Sequence, residues 1–162
     1  RLRATGGPAA DTHLLLQRLK EKLSEHGCAQ DADFTDEFQN SERRRFLQSL
    51  SVLSVPVPNG EAFGLYQLEA MAAGVPVVQP NLGAYPEVMN ATGGGVIYEP
   101  NTPEALAAAL EALLLDPQRL DELGRAGRHA VESAHTIEVM ARNMEDVYSK
   151  LINGAKRKMR NV

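Results

Sequence analysis

The sequence predicts an α/β domain, a three-layer, doubly wound (Rossmann-like) sheet of parallel strands with helices on both faces. Two apolar runs, Ser51–Pro56 and Val75–Pro80, have the length and the β-branched content of buried strands. Between them Leu65, Leu68 and Ala72 recur at helical spacing, Met71 and Ala73 widen that face, and Gly74 supplies a stop. Strand, helix and strand in that order form a βαβ unit, which the handedness of such connections makes a parallel crossover.

The remaining elements follow in chain order. Arg1–Thr5 reads as a short strand closed by the turn signal Gly6-Gly7-Pro8. Asp11 can cap the next helix, in which Leu14, Leu15, Leu19 and Leu23 form an apolar stripe and Gly27 is the stop. Phe34 and Phe38 mark a strand candidate over Asp31–Phe38. Ser41 opens a helix with Arg43, Arg44 and Arg45 on a charged face and Phe46, Leu47 and Leu50 beneath. Past the central unit, Pro86–Met89 predicts one helical turn, with Gly83 giving the preceding loop freedom to fold over a ligand. The last strand is expected at Gly95–Tyr98. Thr102 then caps a helix with Pro103 at its first position and Glu104 in its first turn, apolar from Ala105 to Leu115 and ended before Pro117. Pro117–Ser133 extends the helical region. A final helix from about Thr136 carries Met140, Met144, Val147 and Leu151 as a core stripe, and Lys156–Arg160 is basic.

With 162 residues and 43% hydrophobic content, the chain is sized for one domain, expected over residues 1–152 with a basic tail at 153–162. A net charge of −4 lacks the basic excess of a nucleic-acid-binding surface. Cys28 is the single cysteine, so an internal disulfide is excluded and a reducing compartment is expected. No run approaches the roughly twenty apolar residues a membrane helix needs, and no signal peptide is visible. These features predict a cytoplasmic protein. Because the first residue is Arg1, a piece of something larger is expected.

Chemistry-bearing residues concentrate in the central unit. Glu61 lies in the loop and Glu69 in the helix, with seven residues between them. Glu69 has Leu65 one turn before it and Ala72 and Ala73 one turn after, and a carboxylate beside apolar surface is costly unless it is hydrogen-bonded. Its partner could be the helix dipole or a neighbouring arginine, or it could be the hydroxyls of a bound ligand. Gly64 stands where the helix begins, and the lack of a Cβ lets a ligand approach the free first-turn amides, a ready anion site. In open parallel sheets the ligand lies beyond the carboxyl ends of the strands, which is where Val57–Gly64 falls. His13, His26, His129 and His135 show no metal-ligand spacing. Neither a nucleophile elbow nor a phosphate loop ending in Gly-Lys occurs.

The run Glu61-Ala-Phe-Gly-Leu-Tyr-Gln-Leu-Glu69, followed by Ala70-Met-Ala-Ala-Gly-Val-Pro-Val-Val78, resembles the E-x7-E segment of retaining glycosyltransferases of the two-Rossmann-domain (GT-B) type, family 4-like. Gly83-Ala-Tyr-Pro-Glu87, Gly93–Gly95 and Val96–Pro100 resemble that family's following loops and strand, and the likeness runs from Leu2 to Tyr148. It implies a C-terminal, donor-binding half. A hexose would pass, with its anomeric configuration retained, from a nucleoside-diphosphate sugar to an acceptor on a separate N-terminal domain. The resemblance places Glu61, the catalytic candidate, against the transferred sugar near its anomeric carbon. Phe63, Gly64 and Leu65 would offer amides to the diphosphate, Glu69 would take the ribose hydroxyls, and Gly83 and Glu87 would border the sugar, although Glu87 equally suits capping its own turn. Neither a metal nor a cofactor beyond the co-substrate is implied.

Where relatives carry two adjacent glycines, this chain has Leu82-Gly83. The family's diphosphate-gripping Arg and Lys are expected on a segment before Arg1, together with a first strand and helix. The chain alone is therefore expected to bind nucleotide weakly and to transfer nothing. Two alternatives stay open: a non-catalytic nucleotide- or partner-binding module of the same fold, and a nucleotide-sugar epimerase or hydrolase.

Overall fold

Every strand pairing among the described residues is parallel, as the βαβ pattern requires. The computed structural model describes residues 1–5, 12–35 and 40–159. They fall into two compact units, Arg1–Leu50 and Ser51–Val162.

In the first unit β1 (Leu2–Thr5) pairs with β2 (Ala32–Thr35) from Leu2↔Ala32 to Thr5↔Thr35. Helix α1 (Thr12–Glu25) connects them, and α2 (Asn40–Gln48) follows. Asp31 belongs to a short 3-10 turn instead of the strand. The Gly6-Gly7-Pro8 turn, the Asp11 cap and the Phe38 end of the second strand lie outside the described residues. Arg3 stacks 5.6 Å over the Phe46 ring, faces the Asp33 carboxylate at 4.0 Å and donates to Ser49 Oγ. Arg43, Arg44 and Arg45 lie on an exposed helix face above buried Leu47. The α1 stripe departs from expectation, because Leu14 and Leu15 are exposed. Two four-residue strands present too little apolar surface to bury a 14-residue helix.

The second unit is built on β3 (Val77–Pro80) and β4 (Gly95–Tyr98), in register from Val77↔Gly95 to Pro80↔Tyr98. All four β3 residues are buried, which is why this strand reads as a continuous apolar run. Ser51–Pro56 does not form the full strand expected. It makes one bridge, Leu53↔Val77, with Leu53 N–H donating to Pro76 O at 3.0 Å and Val78 N–H to Leu53 O at 2.9 Å. Pro56 has no amide to continue the ladder, and Val55 N–H donates instead to Gln79 Oε1 at 3.2 Å.

Helix α3 (Leu65–Ala72) occupies the expected place and is closed by Gly74 at φ +78°. Its buried face is rotated from the predicted one: Gln67, Leu68, Ala70 and Met71 are buried, whereas Leu65 is 60% exposed and Ala72 is exposed. Glycines select that face. A Cβ on Gly127 would stand 2.9 Å from Met71 Cγ, and one on Gly124 only 2.4 Å from Gly74 O, so the helix carrying them settles against α3 without side chains between.

Helix α4 (Tyr85–Thr92) is twice the single turn expected and ends at Gly93, φ +62°, whose N–H donates to Met89 O at 2.8 Å. Helix α5 (Pro103–Leu114) is capped as predicted, Thr102 Oγ1 accepting from Ala105 N–H at 3.3 Å. The segment after it forms one continuous α6 (Pro117–Ala134), with Asp116 Oδ1 accepting from Arg119 N–H at 2.9 Å. Val78, Tyr98, Leu113 and Leu123 form a core cluster between sheet and helices.

Helix α7 (Ile137–Met159) runs into the residues read as a basic tail. Its predicted core stripe is uncovered: Met140 is 62% exposed, and Met144, Val147 and Leu151 are exposed with it. Periodicity identifies an apolar face but not the body that buries it. Among the described residues no helix is long and apolar enough to cross a membrane.

Candidate active site

Glu61 is positioned first by its backbone. Its carbonyl accepts from Ala84 N–H at 3.0 Å, which ties the loop before α3 to the loop before α4. That contact needs Gly83, which adopts φ +53°. A Cβ there would meet Glu61 O at 2.5 Å and Glu61 N at 2.7 Å. Gly60, at φ +71°, completes the interlock, since a Cβ on it would meet Gly83 N at 2.9 Å. Gly83, expected to give its loop freedom to fold over a ligand, adopts φ +53° and also lets its backbone touch that of Glu61.

Two phenols then hold the half-buried Glu61 carboxylate. Tyr66 O–H donates to Glu61 Oε2 at 2.6 Å, and the Tyr66 and Tyr85 hydroxyls are 2.9 Å apart. Tyr85, fully buried, also lies 3.5 Å from Glu61 Oε2 and 3.4 Å from Val55 O. Burial, reinforced by the hydrogen bonds to Glu61 and Tyr85, holds the Tyr66 phenol far above its usual range, so it stays protonated and donates. Burial likewise raises Tyr85, with its Tyr66 hydrogen bond opposing.

The opening of α3 abuts this cluster. Gly64 caps the helix in the left-handed region, φ +74° and ψ +69°, with no side-chain cap. A Cβ on it would stand 2.7 Å from Gln67 Nε2, 3.1 Å from Tyr66 Cζ and 3.2 Å from Glu61 Oε2, and the left-handed φ would strain any L side chain, so the position favours glycine. Gln67 is fully buried and donates from Nε2 to Phe63 O at 2.8 Å, bracing the turn. Among the described residues, none accepts from the Phe63, Gly64 or Leu65 amides, as an open helix start implies.

Glu61, Gly64 and Gly83 are thus brought together. Glu69 lies half-buried on α3, between buried Leu68 and Ala70. Glu87 is exposed in the first turn of α4 and makes no hydrogen bond to the Glu61 cluster. Tyr66, Gln67 and Tyr85 were not anticipated as site residues. The available signal was a phenol in the first helical turn, five residues after a loop glutamate. Beside the site, Phe63, Leu65, Ile137, Met140, Met144 and Val147 border a groove of about 570 Å³. Among the described residues no three His, Cys, Asp or Glu side chains group as a metal site would require.

The family model described as "Glycosyl transferases group 1" matches residues 13–130, which include the whole Glu61–Glu87 site. The chain belongs to the group 1 glycosyltransferases. This glycosyltransferase chain is 33% identical over 90% of its length to the lipopolysaccharide core biosynthesis mannosyltransferase LpsB of Rhizobium meliloti, and covers 42% of that protein. Among solved structures it resembles sucrose-phosphate synthase from Thermosynechococcus elongatus, with a TM-score of 0.80 and 26% identity, over 94% of this chain and 39% of that one. It also shares the fold of the C-terminal domain of the group 1 glycosyl transferase LpcC from Francisella tularensis. There the TM-score is 0.70 at 23% identity, over 80% of this chain and 66% of that one. The fold is that of the C-terminal, Rossmann-like domain of GT-B glycosyltransferases. The chain spans about two-fifths of the LpsB length.

Proposed function

We propose that this glycosyltransferase chain is the donor-binding domain of a retaining hexosyltransferase. It takes a nucleoside-diphosphate sugar at the opening of α3 and works in the cytoplasm with an N-terminal domain that holds the acceptor. The observation that carries this reading is the Glu61 carboxylate beside the open start of α3, where a Cβ on Gly64 would come within 3.2 Å of Glu61 Oε2.

Each group then has a task. The Phe63, Gly64 and Leu65 amides receive the diphosphate and stabilise the charge that grows on it as the bond to the anomeric carbon breaks. Glu61 accepts from hydroxyls of the transferred sugar and offsets positive charge near that carbon. The acceptor oxygen bonds to the anomeric carbon on the face the diphosphate leaves, and its proton passes to the departing diphosphate, which retains the configuration. Glu69 accepts from the two ribose hydroxyls, a pairing that suits an ionised carboxylate. Gly83 and Glu87, at the start of α4, border the sugar. The α3 amides offset phosphate charge, and this reading calls for no metal. The uncovered apolar stripe of α7 and the groove beside Phe63 suit a domain interface, which supports the second domain.

Calorimetric titration of the 162-residue chain with UDP-, GDP- and ADP-sugars tests the assignment. One nucleotide class is expected to bind, and Glu69→Ala is expected to weaken it about 10–100-fold, the worth of hydrogen bonds to a charged acceptor. Unchanged affinity in Glu69→Ala would remove the ribose contact.

A further inference from the structure

We infer that Tyr66 is a positioning residue that fixes the rotation of the Glu61 carboxylate, with Tyr85 as its anchor. The inference rests on Glu61 acting at the transferred sugar. A carboxylate on a loop can turn about its terminal torsion, which is broad and roughly two-fold, and each orientation presents its oxygens differently. Tyr66 limits that freedom from a rigid base, the first turn of α3.

Proton accounting gives the hydrogen bonds a direction. A phenol has one proton, and an ionised carboxylate only accepts, so Tyr66 O–H must donate to Glu61 Oε2 across their 2.6 Å separation. The length is that of a charge-assisted bond. The Tyr66 oxygen is then free to accept, and Tyr85 O–H at 2.9 Å is its donor. The alternative acceptors for Tyr85, Val55 O at 3.4 Å and Glu61 Oε2 at 3.5 Å, are farther away. The result is a directed chain, Tyr85 to Tyr66 to Glu61, in which each bond polarises the next. Both tyrosines remain protonated because burial disfavours the phenolate. Engagement is confined to one carboxylate oxygen, since Glu61 Oε1 makes no hydrogen bond to any described residue. Oε1 is thus the oxygen held ready for a sugar hydroxyl.

A purely structural role for Tyr66 would show in stability and leave turnover untouched, so the test separates the two. In the enzyme carrying this domain, kcat and the donor KM are measured for wild type, Tyr66→Phe, Glu61→Gln and the double variant, each with its melting temperature. Tyr66→Phe keeps the ring and is expected to lower kcat about 10–100-fold at nearly constant KM. Tyr85→Phe, the second variant, should lower kcat less. Adding Tyr66→Phe to Glu61→Gln should cost little more, because the two act through one group. The inference fails if Tyr66→Phe leaves kcat within about twofold of wild type, or if its loss multiplies in full with that of Glu61→Gln. Should Glu61→Gln itself leave kcat unchanged, the role of Glu61 at the sugar falls, and the positioning role with it.

Discussion

Glu61→Gln is expected to lower the rate of sugar transfer by about 10²–10³-fold while the domain stays folded. The amide replaces a group that only accepts with one of the same size and half the acceptors. On the proposed mechanism it would also withdraw negative charge from the place where positive charge develops at the anomeric carbon. The fold should tolerate the change. Glu61 is half-buried, its loop is tied by the backbone bond to Ala84, and Tyr66 O–H can still donate to the amide oxygen. Turnover measured with a labelled donor, beside a thermal melt of each protein, separates catalysis from folding. Rates within about threefold of wild type would favour the non-catalytic module.

Gly83→Ala is expected to remove transfer as well, by a different route. The new Cβ would stand 2.5 Å from Glu61 O and 2.7 Å from Glu61 N, both backbone atoms that no rotamer change can move aside. Its φ of +53° adds left-handed strain of about 1–2 kcal/mol. Overpacking adds about 1–3 kcal/mol, so the site should be destabilised and Glu61 displaced. Gly74→Ala is the matched control. It too is left-handed, at φ +78°, but a Cβ there meets nothing within 4 Å. It should lose the strain energy alone and keep its turnover. Chemical denaturation and rate measurement on both variants decide the matter. Equal activity in the two would mean that the Gly83 contact does not place Glu61.

What the sequence revealed about this fold and site follows from the range of each interaction. Local rules located α3, the Gly74 stop, β4 and the Thr102 cap, since those depend on neighbours a few residues apart. The parallel pairing was legible from the order of elements. The buried face of α3 was not, because it is selected by Gly124 and Gly127, more than fifty residues downstream. Ser51–Pro56 looked like a full strand because apolar, β-branched content is only half of the requirement, and a donor at every second position is the other half. The α7 stripe was read correctly as apolar and wrongly as buried.

In the site, the position of Gly64 at the opening of α3 was legible, because helix-start signals are local. The Tyr66–Tyr85 pair was hidden, since nineteen residues separate two phenols that meet only once α4 is folded against the loop. Gly83 was noticed for its freedom of φ, which it uses at φ +53°; its missing Cβ, which lets the Glu61 backbone approach, was not legible because that contact crosses more than twenty residues.

The central claim is that the first turn of α3 receives the diphosphate of a sugar nucleotide. Amide chemical-shift mapping of the 162-residue chain during titration with the sugar nucleotide that binds it tests this most directly. The largest shifts are expected at Phe63, Gly64 and Leu65, with a second group around Glu69. Shifts concentrated elsewhere, with those three amides unmoved at saturation, would contradict it.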